Sequence, residues 1–188
     1  MLVGILALQG DFAEHKKILD KLKVKNILVK TKQDLGKVNA LIIPGGESTT
    51  IGKLLKETGL GKKIILKARK GLAVFGTCAG AILLAKKVIG KKEFSLNLFD
   101  TVIERNAFGR QNQSFEEKIK TSFGLIEVSF IRAPKIKSIG KKAEIIGKLK
   151  KEIVIAKQGK ILISTCHPEI SSDTKLHEFF LKMIKNQE

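Results

Sequence analysis

A chain of 188 residues with 43% hydrophobic side chains is long enough to bury a core, and one domain spanning 1–188 is the simplest organisation. Its 36 Lys and Arg against 18 Asp and Glu leave a net charge of +18, but the basic residues are scattered and there is no Trp or Tyr to stack on bases, so a solvated lysine-rich surface fits better than a nucleic-acid partner. No apolar run approaches the ~18 residues of a membrane span, the start lacks the basic region of a signal peptide, and two cysteines make no disulfide framework, so a cytoplasmic protein is expected.

In chain order, Leu2 to Leu8 reads as a buried strand. Phe12 to Lys23 follows as a helix with Ile18, Leu19 and Leu22 on one face. Ile27 to Val29 and Ala40 to Ile43 are strands, and Thr49 to Arg69 is helical with a break near Gly59 and Gly61. Leu72 to Phe75 is a strand and Ala79 to Ala85 a helix. Strands that are continuously apolar and alternate with helices predict an α/β fold with three layers: a mostly parallel central sheet covered by helices on both faces. Lys86 to Ser95 reads as a linker, although no composition shift marks a domain boundary. The second half is richer in strands: Thr101 to Ile103, Leu125 to Ile131, Ala143 to Leu149, Glu152 to Ala156 and Ile161 to Thr165, with a hairpin around Lys150-Lys151. A last helix puts Leu176, Phe179, Phe180, Met183 and Ile184 on one face, as core.

Three segments carry chemistry. Gly76-Thr77-Cys78-Ala79-Gly80 follows an apolar strand and opens a helix. Small residues two positions either side of the cysteine let strand and helix approach closely, and the helix N-terminus favours thiolate at the apex. The pentapeptide alone fits a nucleophile or a packed core cysteine equally. Cys166-His167-Pro168-Glu169 leaves the last strand. His167 is suited to serve a thiol as base and then acid, and Glu169, two residues on, points the same way and can orient the ring. Cys166 is expected as a packed strand residue. Pro44-Gly45-Gly46-Glu47-Ser48-Thr49-Thr50 joins a strand to a helix and could present amides as an oxyanion hole, hold a phosphate, or be an ordinary turn capped by Ser48. It lacks the Gly-Lys-Ser/Thr ending of a P-loop. A zinc site from Cys78, Cys166, His167 and His15 or His177 has no C-x-x-C or H-x-x-x-H pair behind it, so no metal is expected. Asn112-Gln113-Ser114 fits a glycosylation sequon without meaning in a reducing compartment.

Taken together, Gly-x-Cys-x-Gly, the glycine loop and His-Pro-Glu resemble class I, triad-type glutamine amidotransferases. Further motifs resemble the glutaminase subunits of pyridoxal 5′-phosphate synthases within that class: Ala7-Leu8-Gln9-Gly10 with Glu14-His15, Glu104 to Gln111 with Ser114-Phe115-Glu116, Phe130 to Pro134, and Ala156 to Gly159. The resemblance implies a flavodoxin-like sheet and a Cys78, His167, Glu169 triad that hydrolyses L-glutamine to glutamate and ammonia without a cofactor. It implies glutamine contacts at Gly46, Glu47, Ser48, Arg105, Ile131 and Arg132, and an oxyanion hole at Gly46 and Ala79. It also implies a barrel-shaped synthase subunit as ammonia acceptor, in a large hetero-oligomer. Three of the four arginines, Arg105, Arg110 and Arg132, fall in these motifs. One departure is Cys166, where a Phe is usual, which puts the packing beside the base in question.

Overall fold

The computed structural model describes residues 1–90, 94–105, 107, 114–171 and 173–185. Its first half runs β1 (Val3–Leu6), α1 (Phe12–Lys21), β2 (Asn26–Val29), α2 (Lys32–Lys37), β3 (Ala40–Ile43), α3 (Ser48–Glu57), α4 (Leu60–Arg69), β4 (Ala73–Thr77) and α5 (Ala79–Leu84). Then come β5 (Ala85–Ile89), β6 (Phe99–Glu104), β7 (Phe115–Thr121), β8 (Gly124–Phe130), β9 (Lys135–Ile139), β10 (Glu144–Leu149), β11 (Glu152–Gln158), β12 (Ile161–Ser164) and α6 (Lys175–Lys185).

The large sheet has the order β2-β1-β3-β4-β12-β11-β10-β7-β8, and β5-β6-β9 form a smaller one. From β2 to β12 neighbouring strands are parallel. Beyond β12 the pairing is antiparallel, so β11, β10, β7 and β8 extend the parallel centre as an arm. Period-two alternation gives the parallel strands two buried faces. Leu41, Ile43 and Val74 pack on one side with Ile51, Leu55 and Ile64 of α3 and α4. Ile42, Phe75 and Leu162 pack on the other with Leu19 of α1 and Phe180 of α6. Each such fully buried side chain stabilises the fold by roughly 1.5–3 kcal/mol before entropy is counted. The expected three-layer architecture is therefore present, with helices on both faces of the parallel strands.

The helix break falls at Gly59, which takes a left-handed φ of 68° between α3 and α4. Gly61 does not break the chain but lies inside α4. The linker expectation for Lys86 to Ser95 is corrected over its first part. Ala85–Ile89 is a strand that pairs in parallel with β6. Its lysines stand exposed on an outer strand, where charge deters edge-to-edge pairing and hides the strand's pattern. Three further elements, α2, β7 and β9, were not predicted. β7 is polar at most positions, Phe-Glu-Glu-Lys-Ile-Lys-Thr, and pairs with β8 along its whole length. α2 is short, but Thr31 and Asp34 form a reciprocal capping box, a readable start signal. The sequon at Asn112 and the 108–113 part of the long polar motif, with Arg110, lie outside the described residues. Among the described residues no helix is long and apolar enough to cross a membrane.

Candidate active site

Chain segments converge where the parallel strands end, the edge at which open α/β sheets bind ligands. β4 ends at Thr77 and α5 starts at Ala79, so Cys78 makes the turn by itself. It does so at φ 46° and ψ −101°, a conformation a non-glycine residue keeps only where its surroundings over-determine it. Its N–H donates to Ser164 O at 2.8 Å, and its carbonyl accepts from Ile82 N at 3.2 Å. The two glycines are both required. A Cβ on Gly80 would lie 2.1 Å from Ile43 O, and one on Gly76 2.7 Å from the Gly80 carbonyl carbon. Strand and helix meet at a distance only hydrogen on Cα permits, and the apex side chain faces a cavity.

His167 comes from the chain beyond β12 and is held by the arm. Its N–H donates to Ser129 O at 2.8 Å, one residue before the end of β8. The ring's Nδ1 lies 2.7 Å from Glu169 Oε1, a carboxylate only 3% exposed. Cys78 lines the same cavity as the ring. Burial is the largest influence on His167 and opposes its charge, but the hydrogen bonds and negative charge of Cys78 and Glu169 prevail and push its pKa up to about 11. The protonated ring is therefore favoured beside the Glu169 carboxylate. Cys166 points the other way, into the core with Phe180. Burial pushes its thiol up to about 12, in spite of a 3.1 Å contact with Ser164 Oγ, so it is an inert packing residue as expected.

The glycine loop lies against the chain that follows β1. Gly46 has φ 142°, and a Cβ there would lie 2.8 Å from both Gln9 Oε1 and Gly10 Cα. Gln9 Oε1 accepts from the Glu47 backbone N–H at 2.9 Å, and the Asp11 N–H donates to Gly45 O at 3.1 Å. The cap of α3 is Glu47, whose carboxylate accepts from Thr50 N at 2.7 Å; Ser48, the cap in the ordinary-turn alternative, is instead the first helical residue. Burial works against the Glu47 charge, yet the hydrogen bonds of Thr50 and Thr49 hold its carboxyl below the usual range. Arg105 Nη2 reaches Glu47 Oε1 at 3.3 Å.

These residues line one cavity of about 450 Å³. Cys78 and His167 line it together with Gly46, Glu47 and Ser48 of the glycine loop. Arg105, Ile131 and Arg132 complete the lining, Arg132 at a left-handed φ of 46°. Ile131 O is 4.0 Å from Cys78 Sγ. Ala79 follows directly in the first turn of α5. A larger cleft of about 530 Å³ lies on the arm between lysines of β7 and β10, and no thiol or imidazole lines it.

Among the described residues, Asp11, His167 and Glu169 bring ligand-type atoms within 4.8 Å of one another. Within this group the 2.7 Å contact places one proton between His167 Nδ1 and Glu169 Oε1. Asp11 Oδ2 stands 3.7 Å from His167 Nδ1 and lines the cavity, a position sequence reasoning missed. Thr77 and the buried imidazoles of His15 and His177 also surround Glu169 or its neighbours. A readable signal existed for the imidazoles: His15 shares the face of Ile18 and Leu19, and His177 that of Phe180 and Leu181.

A family model described as the SNO glutamine amidotransferase family matches residues 5–186. The chain is 46% identical over 188 residues to a protein of Desulforamulus reducens named pyridoxal 5′-phosphate synthase subunit PdxT, covering 98% of this chain and 100% of that one. A protein of the same name from Streptococcus pneumoniae is 45% identical over 192 residues, with 100% of both chains covered. A crystal structure described as a glutamine amidotransferase superposes with a TM-score of 0.94 at 45% identity, covering 97% of this chain and 98% of that one. A putative GMP synthase subunit from Thermoplasma acidophilum shares the fold with a TM-score of 0.66 at 14% identity, covering 99% of this chain and 94% of the other. The chain belongs to the SNO glutamine amidotransferase family.

Proposed function

We propose that the chain is a glutaminase that hydrolyses L-glutamine to glutamate and ammonia through Cys78, His167 and Glu169, and delivers the ammonia to a synthase subunit that makes pyridoxal 5′-phosphate. The observation that carries this reading is the strained turn that sets Cys78 against His167, with Glu169 2.7 Å behind the ring. The Cys78 sulfur attacks the side-chain amide carbon of glutamine. The C–N bond breaks as His167 gives its proton to the leaving nitrogen, and a glutamyl thioester remains. His167 then takes a proton from water, the hydroxide attacks the thioester, and glutamate leaves as the thiolate is restored. Glu169 keeps the ring in one tautomer and balances its charge.

The Gly46 and Ala79 amides are assigned to the oxyanion, at opposite ends of the glycine loop and elbow. Glutamine lies in the cavity of about 450 Å³. Glu47 and Arg105 meet its charged amino-acid end, and Ser48, Ile131 and Arg132 complete the contacts. The Glu47–Arg105 contact at 3.3 Å means that substrate entry reorganises this pair. The relatives' names make the partner a synthase subunit. Its barrel shape and the large hetero-oligomer follow from the family resemblance, a cytoplasmic location from the two cysteines without a disulfide framework, and a single domain spanning 1–188 from the chain's length. No cofactor takes part in these steps.

The test mixes the chain with a candidate synthase subunit, glutamine, a pentose phosphate and a triose phosphate, and follows the absorbance of pyridoxal 5′-phosphate. Product that forms only when both proteins and glutamine are present supports the reading. Glutamate release that ignores the synthase, with no product absorbance, refutes the pathway.

A further inference from the structure

The triad's carboxylate has a second side. Glu169 Oε1 accepts from His167 Nδ1–H on the cavity side, and Thr77 Oγ1 approaches the same oxygen at 3.4 Å from the interior. Behind Thr77 stands His15, with Nε2 3.1 Å from Thr77 Oγ1 and 3.6 Å from Glu169 Oε2. His15 Nδ1 lies 2.9 Å from His177 Nε2. Both imidazoles are fully buried and packed around Phe75. This row of polar groups joins α1, β4 and α6 beneath the reacting thiol.

Hydrogen-bond bookkeeping gives the row a direction. A carboxylate only accepts, so the single hydroxyl proton of Thr77 goes to Glu169. The Thr77 oxygen must then accept from His15 Nε2–H. His15 Nδ1 is left as an acceptor and takes the Nε2–H of His177. His177 Nδ1 ends the row as a bare lone pair, and it is a buried nitrogen with no hydrogen-bond partner among the described residues. The opposite direction would strand an N–H there, which is costlier than a stranded acceptor, and would turn the Thr77 lone pairs on the carboxylate.

We propose that His177, His15 and Thr77 form a one-way hydrogen-bond chain that donates into Glu169, so that His15 and His177 are positioning residues that keep the carboxylate anionic and aimed at His167. This rests on the triad reading above and adds residues that never touch glutamine. Neutral rings are what the chain needs. Burial, helped by the neighbouring His177 and His167, holds His15 well below the ordinary imidazole value, and burial alone takes His177 down to about 3. The other titratable groups around Glu169 are His167, Cys166, whose thiol feels the Glu169 charge, and beyond the ring Cys78 and Asp11.

The test uses two amides that imitate different ring nitrogens. The Gln amide nitrogen reaches the place of Nε2, and the Asn amide reaches only that of Nδ1. With the synthase subunit and glutamine present, His15→Gln keeps kcat within a few-fold of the wild type. His15→Asn lowers kcat by about 10- to 100-fold, since Thr77 has lost the donor that commits its hydroxyl proton to the anion. Its KM stays within about twofold, and the acid limb of its pH profile moves to higher pH. His177→Gln, which keeps the donating nitrogen, outperforms His177→Phe. Nitrogen-15 NMR of the histidine rings in the wild-type protein, which needs neither activity nor a variant, shows His15 and His177 neutral and protonated at Nε2 at pH 7. A charged ring or an Nδ1–H tautomer at either position overturns the chain, as does His15→Asn matching His15→Gln in kcat and acid limb. A wild type inert toward glutamine beside a competent synthase refutes the triad reading instead, and leaves the NMR result to judge the hydrogen-bond chain by itself.

Discussion

The carboxyl ends of the parallel strands and the antiparallel arm are built to different tolerances. At the elbow a Cβ on Gly80 would meet a backbone oxygen at 2.1 Å. On the arm a Cβ on Gly147 of β10 would meet side-chain atoms, Thr121 Cγ2 at 3.2 Å and Ile155 Cδ1 and Cβ at 3.3 and 3.5 Å. A backbone atom cannot move aside without carrying its strand along, whereas a side-chain methyl can give by tenths of an ångström. Yet the arm is not mere scaffold. It supplies Ile131 and Arg132 just after β8, and Ser129 holds the main chain of His167. Close backbone packing thus places Cys78, the proposed nucleophile, and an edge pairing places His167, the proposed base.

The largest effect tests the elbow's chemistry. Cys78→Ser should cut glutamine hydrolysis by more than roughly 10³-fold while circular dichroism and synthase docking stay unchanged. Normal ammonia release by that variant would remove the thiol from the mechanism. Next, Gly80→Ala should destabilise the fold by about 2–3 kcal/mol in urea titration and depress activity with it, because strand and helix must part. Gly147→Ala is the matched change on the arm and should cost under about 1 kcal/mol with activity retained. Equal costs for the two would erase the contrast between the regions.

A smaller effect separates binding from chemistry. Arg105→Ala should raise KM for glutamine about 10-fold and alter kcat little, since Arg105 pairs with Glu47 in the cavity and is assigned to binding and not to the reacting atoms. A fall in kcat at constant KM would contradict its assignment to substrate.

The pH dependence of stability joins both regions. His177 titrates near 3 in the folded chain and near 6.5 unfolded, so the unfolded state binds more protons between those values and stability falls as pH drops below about 6.5. His167 is raised to about 11, so its contribution is complete below about 6.5 and is lost as pH rises toward 11. Cys166 adds to that alkaline loss, because the folded state keeps its thiol proton until about 12. Urea midpoints should therefore peak near neutrality, and a flat profile from pH 4 to 10 would contradict these environments. At the small end, Leu125→Thr on the arm, 59% exposed, should change stability by less than about 0.5 kcal/mol.

Legibility followed the same division. The parallel strands could be read because both their faces are buried, and Ala40–Ile43 stands where the apolar run predicted it. On the arm, β7 escaped because its exposed residues carry no pattern and only pairing with β8 and β10 makes it a strand. The motif residues Cys78, His167 and Glu169 were legible as chemistry, because their residue types and spacings imply roles. Asp11 and Thr77 were not, since each is an ordinary turn or strand residue until the fold brings it beside Glu169 or His167.

By itself, then, the sequence determined which backbone could form: apolar runs that must be buried on both sides, and glycines where two segments come too close for a Cβ. It singled out the groups proposed to react as well. Only the tertiary structure decided what stands behind them. His15 and His177, 162 positions apart, meet at 2.9 Å because α1 and α6 pack on the same face of the sheet. No local pattern encodes that encounter, because it depends on the register of two helices against β4, a strand that neither adjoins in the chain.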